Sequence, residues 1–298
     1  MDAPPPQNKI AGAGYRGRFA PSPTGPLHFG SLVAAVGSFV QARSKAGRWL
    51  VRIEDIDPPR EVAGAARRQL ETLARFGMRS DSPVHYQSTS AAEHDAAIAT
   101  LKRAGRAFDC GCSRRDLPAS GVYPGTCRRG LPPGRRARSV RFRVPDAPET
   151  VVDAVFGRSR HALGEECGDF VIRRADSLVA YQLAVVVDDI AAGITEVVRG
   201  RDLLDSSARQ QALYAALGRP APAWLHLPLV VDRHGRKLSK SERADPVEHR
   251  STVRALRLAL TALGHAPPAG VRTLDATWAW AIGHWNVARI PAEPFELT

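Results

Sequence analysis

Apolar residues recur along this chain with two different spacings, and the alternation between them outlines an α/β protein. Short apolar stretches bounded by Gly, Pro or charge predict strands over residues 18–20 and 49–54; stretches with the helical spacing predict helices over 32–45, 63–76 and 91–104. This β-α-β-α-α run is the pattern of a parallel sheet with helices on its faces. Arg, Pro and Gly then dominate from Cys110 to about Arg138. Beyond them the pieces SVRFRV and DFVIRR lead back to an apolar helix over 180–190, then to a strand EVVRG and a helix over 206–217. LHLPLVVD predicts one more strand. After Arg250 the chain is helical again, with Val253, Leu256, Leu260 and Leu263 on one stripe. No internal repeat is present.

Composition narrows the partners. The 298 residues are 44% apolar, enough for a sizeable core. Forty-two Lys and Arg against thirty Asp and Glu leave a net charge of +12, which suits a polyanion bound through phosphate neutralisation, although an arginine-rich coding bias would produce the same excess. The first residues, MDAPPPQNKIAGAG, carry no export pattern and read as a frayed lead-in. LVAAVGSFV and LAVVV, the longest apolar runs, fall far short of the eighteen or so residues that span a bilayer. No membrane partner and a cytoplasmic location are therefore expected. Gly12, Gly14 and Gly17 in GAGYRG match a dinucleotide fingerprint, but PPPQNKIA cannot form the strand that should precede it, and a strand rather than a helix follows.

The polar interruption carries a metal signature. Cys110 and Cys112 form a C-x-C and Cys127 follows in VYPGTC, in a loop too polar to bury thiols for packing alone. Three soft donors on one short loop favour Zn2+ over harder cations. The fourth position stays open on the residues alone, with Cys167 in GEECGDF as the remaining thiol.

Two further segments point to phosphate chemistry. In RFAPSPTGPLHFGS, an apolar strand ends in a Pro/Gly turn and His28 and Gly30 open a helix, whose free N–H groups and partial positive charge suit an anion. In KLSKS, Lys237 and Lys240 flank a short polar turn, as a cationic clamp would require. Together PLHFGS and KLSKS resemble the paired signatures of class I aminoacyl-tRNA synthetases. RFAPSPTG, VRIEDIDPPR and VVDDIAAGITEVVRGRDLL are similar to the glutamyl-tRNA synthetase branch, over roughly residues 15–243. Ser31 departs from the full signature, which carries a second histidine there.

The resemblance implies a doubly wound class I catalytic domain with a zinc-bearing insertion: a flexible tail (1–14), a first catalytic half (15–109), the insertion (110–165), a second half with the KLSKS loop (166–243) and a helical segment (244–298). It implies amino-acid activation, in which a carboxylate attacks the α-phosphate of ATP, supplied with Mg2+, and pyrophosphate leaves. His28, Lys237 and Lys240 take the catalytic roles, and His28, Gly30, Ser31 and Lys240 the ATP contacts. Glutamate contacts fall on Arg18, Phe19, Ala20, Pro21, Ser22, Glu54, Tyr181 and Arg199; arginines suit the two carboxylates, Glu54 the ammonium, and the Ser22 and Tyr181 hydroxyls complete the set. It also gives the fourth zinc position to Tyr123, with Cys110, Cys112 and Cys127.

Residues 242–298 leave room for only two or three helices, too little for a large anticodon-reading domain. The short chain, the C-x-C…Y-x3-C loop and VRIEDIDPPREV resemble the glutamyl-queuosine tRNA(Asp) synthetases, which attach glutamate to the queuosine base of a tRNA anticodon. The partners implied are queuosine-bearing tRNA(Asp), L-glutamate and ATP, and a monomer is expected. Arg128, Arg129, Arg135 and Arg136 are candidates to hold the loop's phosphates. The alternatives are a truncated glutamyl-tRNA synthetase charging a 3′ end, a zinc-bearing RNA-binding module without catalysis, and a nucleic-acid hydrolase using Asp55, Asp57, Asp188 and Asp189 as metal ligands.

Overall fold

The computed structural model describes residues 14–237 and 247–297. Strand β1 (Arg16–Phe19), helix α1 (Phe29–Ser44) and strand β2 (Arg48–Ile53) form the first β-α-β unit; α2 (Ala65–Arg75), β3 (His85–Tyr86) and α3 (Ala91–Arg103) follow. β1, β2 and β3 pair parallel in that order. Then come β4 (Ala107–Cys110), β5 (Ser139–Phe142), β6 (Glu149–Asp153), β7 (Gly157–His161), a single turn α4 (Leu163–Glu166) and β8 (Phe170–Arg173). The second unit is α5 (Tyr181–Ala192), β9 (Glu196–Gly200), α6 (Ser206–Ala216) and β10 (Ala223–Leu227); β11 (Val230–Val231), α7 (Thr252–Ala262), α8 (Leu274–His284) and β12 (Phe295–Glu296) complete the described chain.

β9 and β10 pair parallel, and β1 lies beside β9, where the Thr195 N–H donates to the Arg16 carbonyl at 2.9 Å. The chain leaves β1 toward β2 on one side and β9 toward β10 on the other. A cleft must therefore open between the carboxyl ends of β1 and β9, the switch point at which open parallel sheets bind ligands. Helix α1 is buried along most of its length, as its LVAAVGSFV stretch requires. Gly37 makes that close fit possible, since a Cβ there would stand 2.5 Å from Leu227 of β10. Gly17 sits inside β1, so GAGYRG ends in a strand, as its context predicts.

The interruption folds in two parts. β4, β5 and β8 make a separate antiparallel sheet beside the cysteine loop. β6, within the segment expected as an insertion, returns to the main sheet: it pairs parallel with β10, Asp153 opposite Trp224. LHLPLVVD is broken into β10 and β11 rather than running as one strand, because Pro228 cannot donate to a ladder. Helices α7 and α8 cover α1, with Trp278 Nε1 donating to the Phe76 carbonyl at 2.8 Å and Trp285 Nε1 to Gln41 at 2.6 Å. No helix among the described residues is long and apolar enough to cross a membrane.

Candidate active site

The cleft at the switch point has a volume of about 530 Å3. Its lining brings together, from segments far apart in sequence, Arg18, Phe19, Ala20, Pro21 and Ser22 after β1, His28, Gly30 and Ser31 at the start of α1, Glu54 after β2, Tyr181 at the start of α5, Arg199 on β9, and Lys237. Lys240 lies outside the described residues.

At the amino end of the first helix, His28 is the N-cap of α1. Its Nδ1 accepts the Ser31 N–H at 3.1 Å and its Nε2 lies 3.1 Å from Ser31 Oγ. A neutral ring whose Nδ1 accepts carries its proton on Nε2, which turns that proton toward Ser31 Oγ. Gly30 serves this arrangement directly, because a Cβ there would come within 3.2 Å of the imidazole. Lys237 Nζ donates to Asp202 Oδ2 at 2.6 Å at the exposed rim.

Two buried arginines face the cleft with opposite kinds of support. Arg18 donates through Nε and Nη2 to Asp189 at 3.2 Å, and Asp189 also takes Arg52 Nη1 at 2.6 Å. Arg52 in turn reaches Glu54 at 3.2 Å. Burial works against charge on Asp189, but Arg18 and Arg52 override it and hold the carboxyl below the usual range. For Glu54 the balance is reversed: burial pushes the carboxyl up, against the pull of Arg52 and Arg18. Arg199 has no carboxylate partner among the described residues. It donates to His226 Nε2 at 3.0 Å, Gln210 Oε1 at 2.8 Å, Ser207 Oγ at 2.9 Å and the Leu203 carbonyl at 3.1 Å. Burial penalises its charge and lowers its pKa, so an anion entering the cleft meets a guanidinium in need of compensation.

Asp188 and Asp189 do not form a metal site with Asp55 and Asp57, as the hydrolase alternative requires. Asp188 is occupied by His94 Nε2 at 2.8 Å and Gln87 Nε2 at 2.7 Å. Asp55 binds Ser88, and Asp57 pairs with Arg60 and Arg174. Among the described residues the one His, Cys, Asp or Glu group able to hold a metal is Cys110, Cys112 and Cys127, whose sulfurs lie within 4.8 Å of one another. Tyr123 Oη stands 3.5 Å from Cys110 Sγ and accepts the Cys127 N–H at 2.8 Å. The Cys167 thiol instead donates to the carbonyls of Leu163 and Gly168. Burial would raise the Cys110 thiol, but contacts with Tyr123, the Cys112 N–H and Arg141 bring it down to about 7, so this sulfur is readily a thiolate. Three convergent buried thiols beside a hydroxyl fit a soft tetrahedral ion.

Two of the arginines expected to hold RNA are already engaged: Arg128 with Asp169 at 2.5 Å and Arg135 with Asp116 at 2.7 Å. The sequence reading missed Arg52, Gln210, Ser207 and His226. The signals were present in part, as Asp188 and Asp189 within the apolar helix YQLAVVVDDI and His226 within the apolar strand WLHL must each find a buried partner. Which partner was not readable.

A family model for the catalytic domain of class I tRNA synthetases, E and Q, matches residues 15–120 and 133–260. Glutamyl-Q tRNA(Asp) synthetase from Chromobacterium violaceum is 49% identical over 295 residues, covering 97% of this chain and 99% of that protein. The protein of the same name from Pseudomonas aeruginosa is 50% identical over 280 residues, covering 93% and 95%. In fold the chain is similar to a glutamate tRNA ligase from Elizabethkingia meningosepticum, solved in complex with its amino acid: the TM-score is 0.82 at 23% identity, over 96% of this chain and 67% of that one.

Proposed function

Because the chain belongs to the class I tRNA synthetases and, within them, to the glutamyl-Q tRNA(Asp) synthetase family, we propose that it activates L-glutamate with ATP and transfers it to the queuosine base in the anticodon of tRNA(Asp). The observation that carries this reading is identity near 50% along almost the whole length of both this chain and its relatives. The cleft supports it, since cationic and acidic side chains converge there at the end of a helix.

In this reading the α-carboxylate of glutamate attacks the α-phosphorus of ATP, which enters with Mg2+, and the bond to the β-phosphate breaks. No protein nucleophile is required. The chain's task is to hold two anions together against their repulsion and to stabilise charge building on the phosphates. His28 exchanges its Nε2 contact with Ser31 Oγ for a phosphate oxygen, the amino end of α1 adds its dipole, and Lys237 and Lys240 follow the leaving pyrophosphate. Arg18 and Arg199 bind the carboxylates of glutamate, Glu54 takes its ammonium, and Ser22 and Tyr181 supply hydroxyls. A hydroxyl of the queuosine cyclopentene ring then attacks the activated carbonyl and AMP leaves. Cys110, Cys112, Tyr123 and Cys127 would hold one zinc ion, whose contribution would be to fix the loop; no step of the reaction is routed through it.

Radiolabelled glutamate should be transferred to tRNA(Asp) bearing queuosine, but neither to tRNA(Glu) nor to tRNA(Asp) from cells unable to make the base. Charging of either control refutes the assignment, and charging of tRNA(Glu) favours a truncated glutamyl-tRNA synthetase.

A further inference from the structure

Arg199 is held by a relay that begins in the cysteine-bearing half of the chain. Its Nε–H can only donate, so His226 Nε2, 3.0 Å away, must accept. The proton of the neutral ring then sits on Nδ1, which lies 2.6 Å from Asp153 Oδ2. The same oxygen accepts the His226 N–H at 3.0 Å, and Asp153 Oδ1 accepts the N–H groups of Val155 and Phe156, each at 2.9 Å. Asp153 and His226 are both buried. Every partner in the chain Asp153, His226, Arg199 is thus specified in one direction, and a reversed tautomer or an imidazolium would set a donor against a donor. Burial also lowers the pKa of His226, consistent with a neutral ring.

The remaining contacts of Arg199, to Gln210, Ser207 and Leu203, leave a single N–H, on Nη1, unused among the described residues. We propose that His226, oriented by Asp153, is the positioning residue that aims Arg199 at the carboxylate of the amino-acid substrate, and so sets selectivity for an acid over its amide. This rests on the glutamate reading above. Without an acceptor at Nε, the guanidinium keeps its contacts with Gln210, Ser207 and Leu203 but loses the one that fixes its Nε edge, and its unused N–H is no longer aimed into the cleft. An acidic substrate loses binding before it loses chemistry.

The test is glutamate-dependent ATP–pyrophosphate exchange on the full chain, with KM and kcat measured separately. His226→Leu should raise the KM for glutamate at least tenfold, with the KM for ATP unchanged and kcat within about threefold. His226→Gln keeps an acceptor within reach of Arg199 Nε and should recover most of the loss. A Leu variant with unaltered glutamate KM, or a Gln variant as impaired as Leu, overturns the proposal. Should the Leu variant not fold, nitrogen NMR of the imidazole in the intact protein decides: a neutral ring protonated at Nδ1 supports the relay and one protonated at Nε2 overturns it. Absence of glutamate-dependent exchange in the unmodified protein would instead overturn the glutamate reading beneath it.

Discussion

Replacing Asp189 by Asn tests whether the floor of the cleft is held by charge. Asp189 lies buried between two guanidiniums, accepting Arg18 Nε and Nη2 at 3.2 Å and Arg52 Nη1 at 2.6 Å. The Asn amide keeps the shape but removes the negative charge and presents N–H groups to N–H groups. Leaving buried charge uncompensated in this way typically costs about 3–5 kcal/mol, a large share of the roughly 5–15 kcal/mol by which a domain is stable. At about 2–4 °C per kcal/mol the melting temperature should fall by roughly 6–20 °C. The loss should depend on pH with a definite sign. The folded pKa of Asp189 lies below its unfolded value near 3.9, so its contribution is complete above that value and disappears as pH falls through the folded one. Thermal and urea unfolding of the two proteins should therefore differ most at pH 6–7 and converge in acid. The glutamate KM should rise as well, because Arg18 loses its anchor. A difference below about 1 kcal/mol at pH 7, or one that grows in acid, would refute the account.

Cys110→Ser should abolish bound zinc and lower the melting temperature, whereas Cys167→Ser should retain the metal, as measured by elemental analysis; metal loss in the Cys167 variant would move the fourth ligand from Tyr123. Lys240→Ala should reduce the rate of pyrophosphate exchange far more than it weakens glutamate, and unchanged exchange would remove Lys240 from the ATP site.

Much of the fold and part of the cleft were legible in the chain itself, because the signals are local. A strand, a Pro/Gly turn and a helix start occupy neighbouring residues, so RFAPSPTGPLHFGS announces a β1–turn–α1 unit with His28 at its tip, and the structure places His28 at the N-cap. The same holds for C-x-C with Cys127, whose sulfurs converge. Tertiary structure alone decided how buried charges are matched. YQLAVVVDDI reveals that two carboxylates enter an apolar helix, but periodicity reports burial and not partners; only the fold brings Arg18 and Arg52 to Asp189, and His94 and Gln87 to Asp188, which removes the metal-site reading. Likewise nothing local to Asp153 links it to His226 and Arg199. Their alignment depends on β6 pairing with β10 and β10 with β9, a register that belongs to the sheet and to no segment within it.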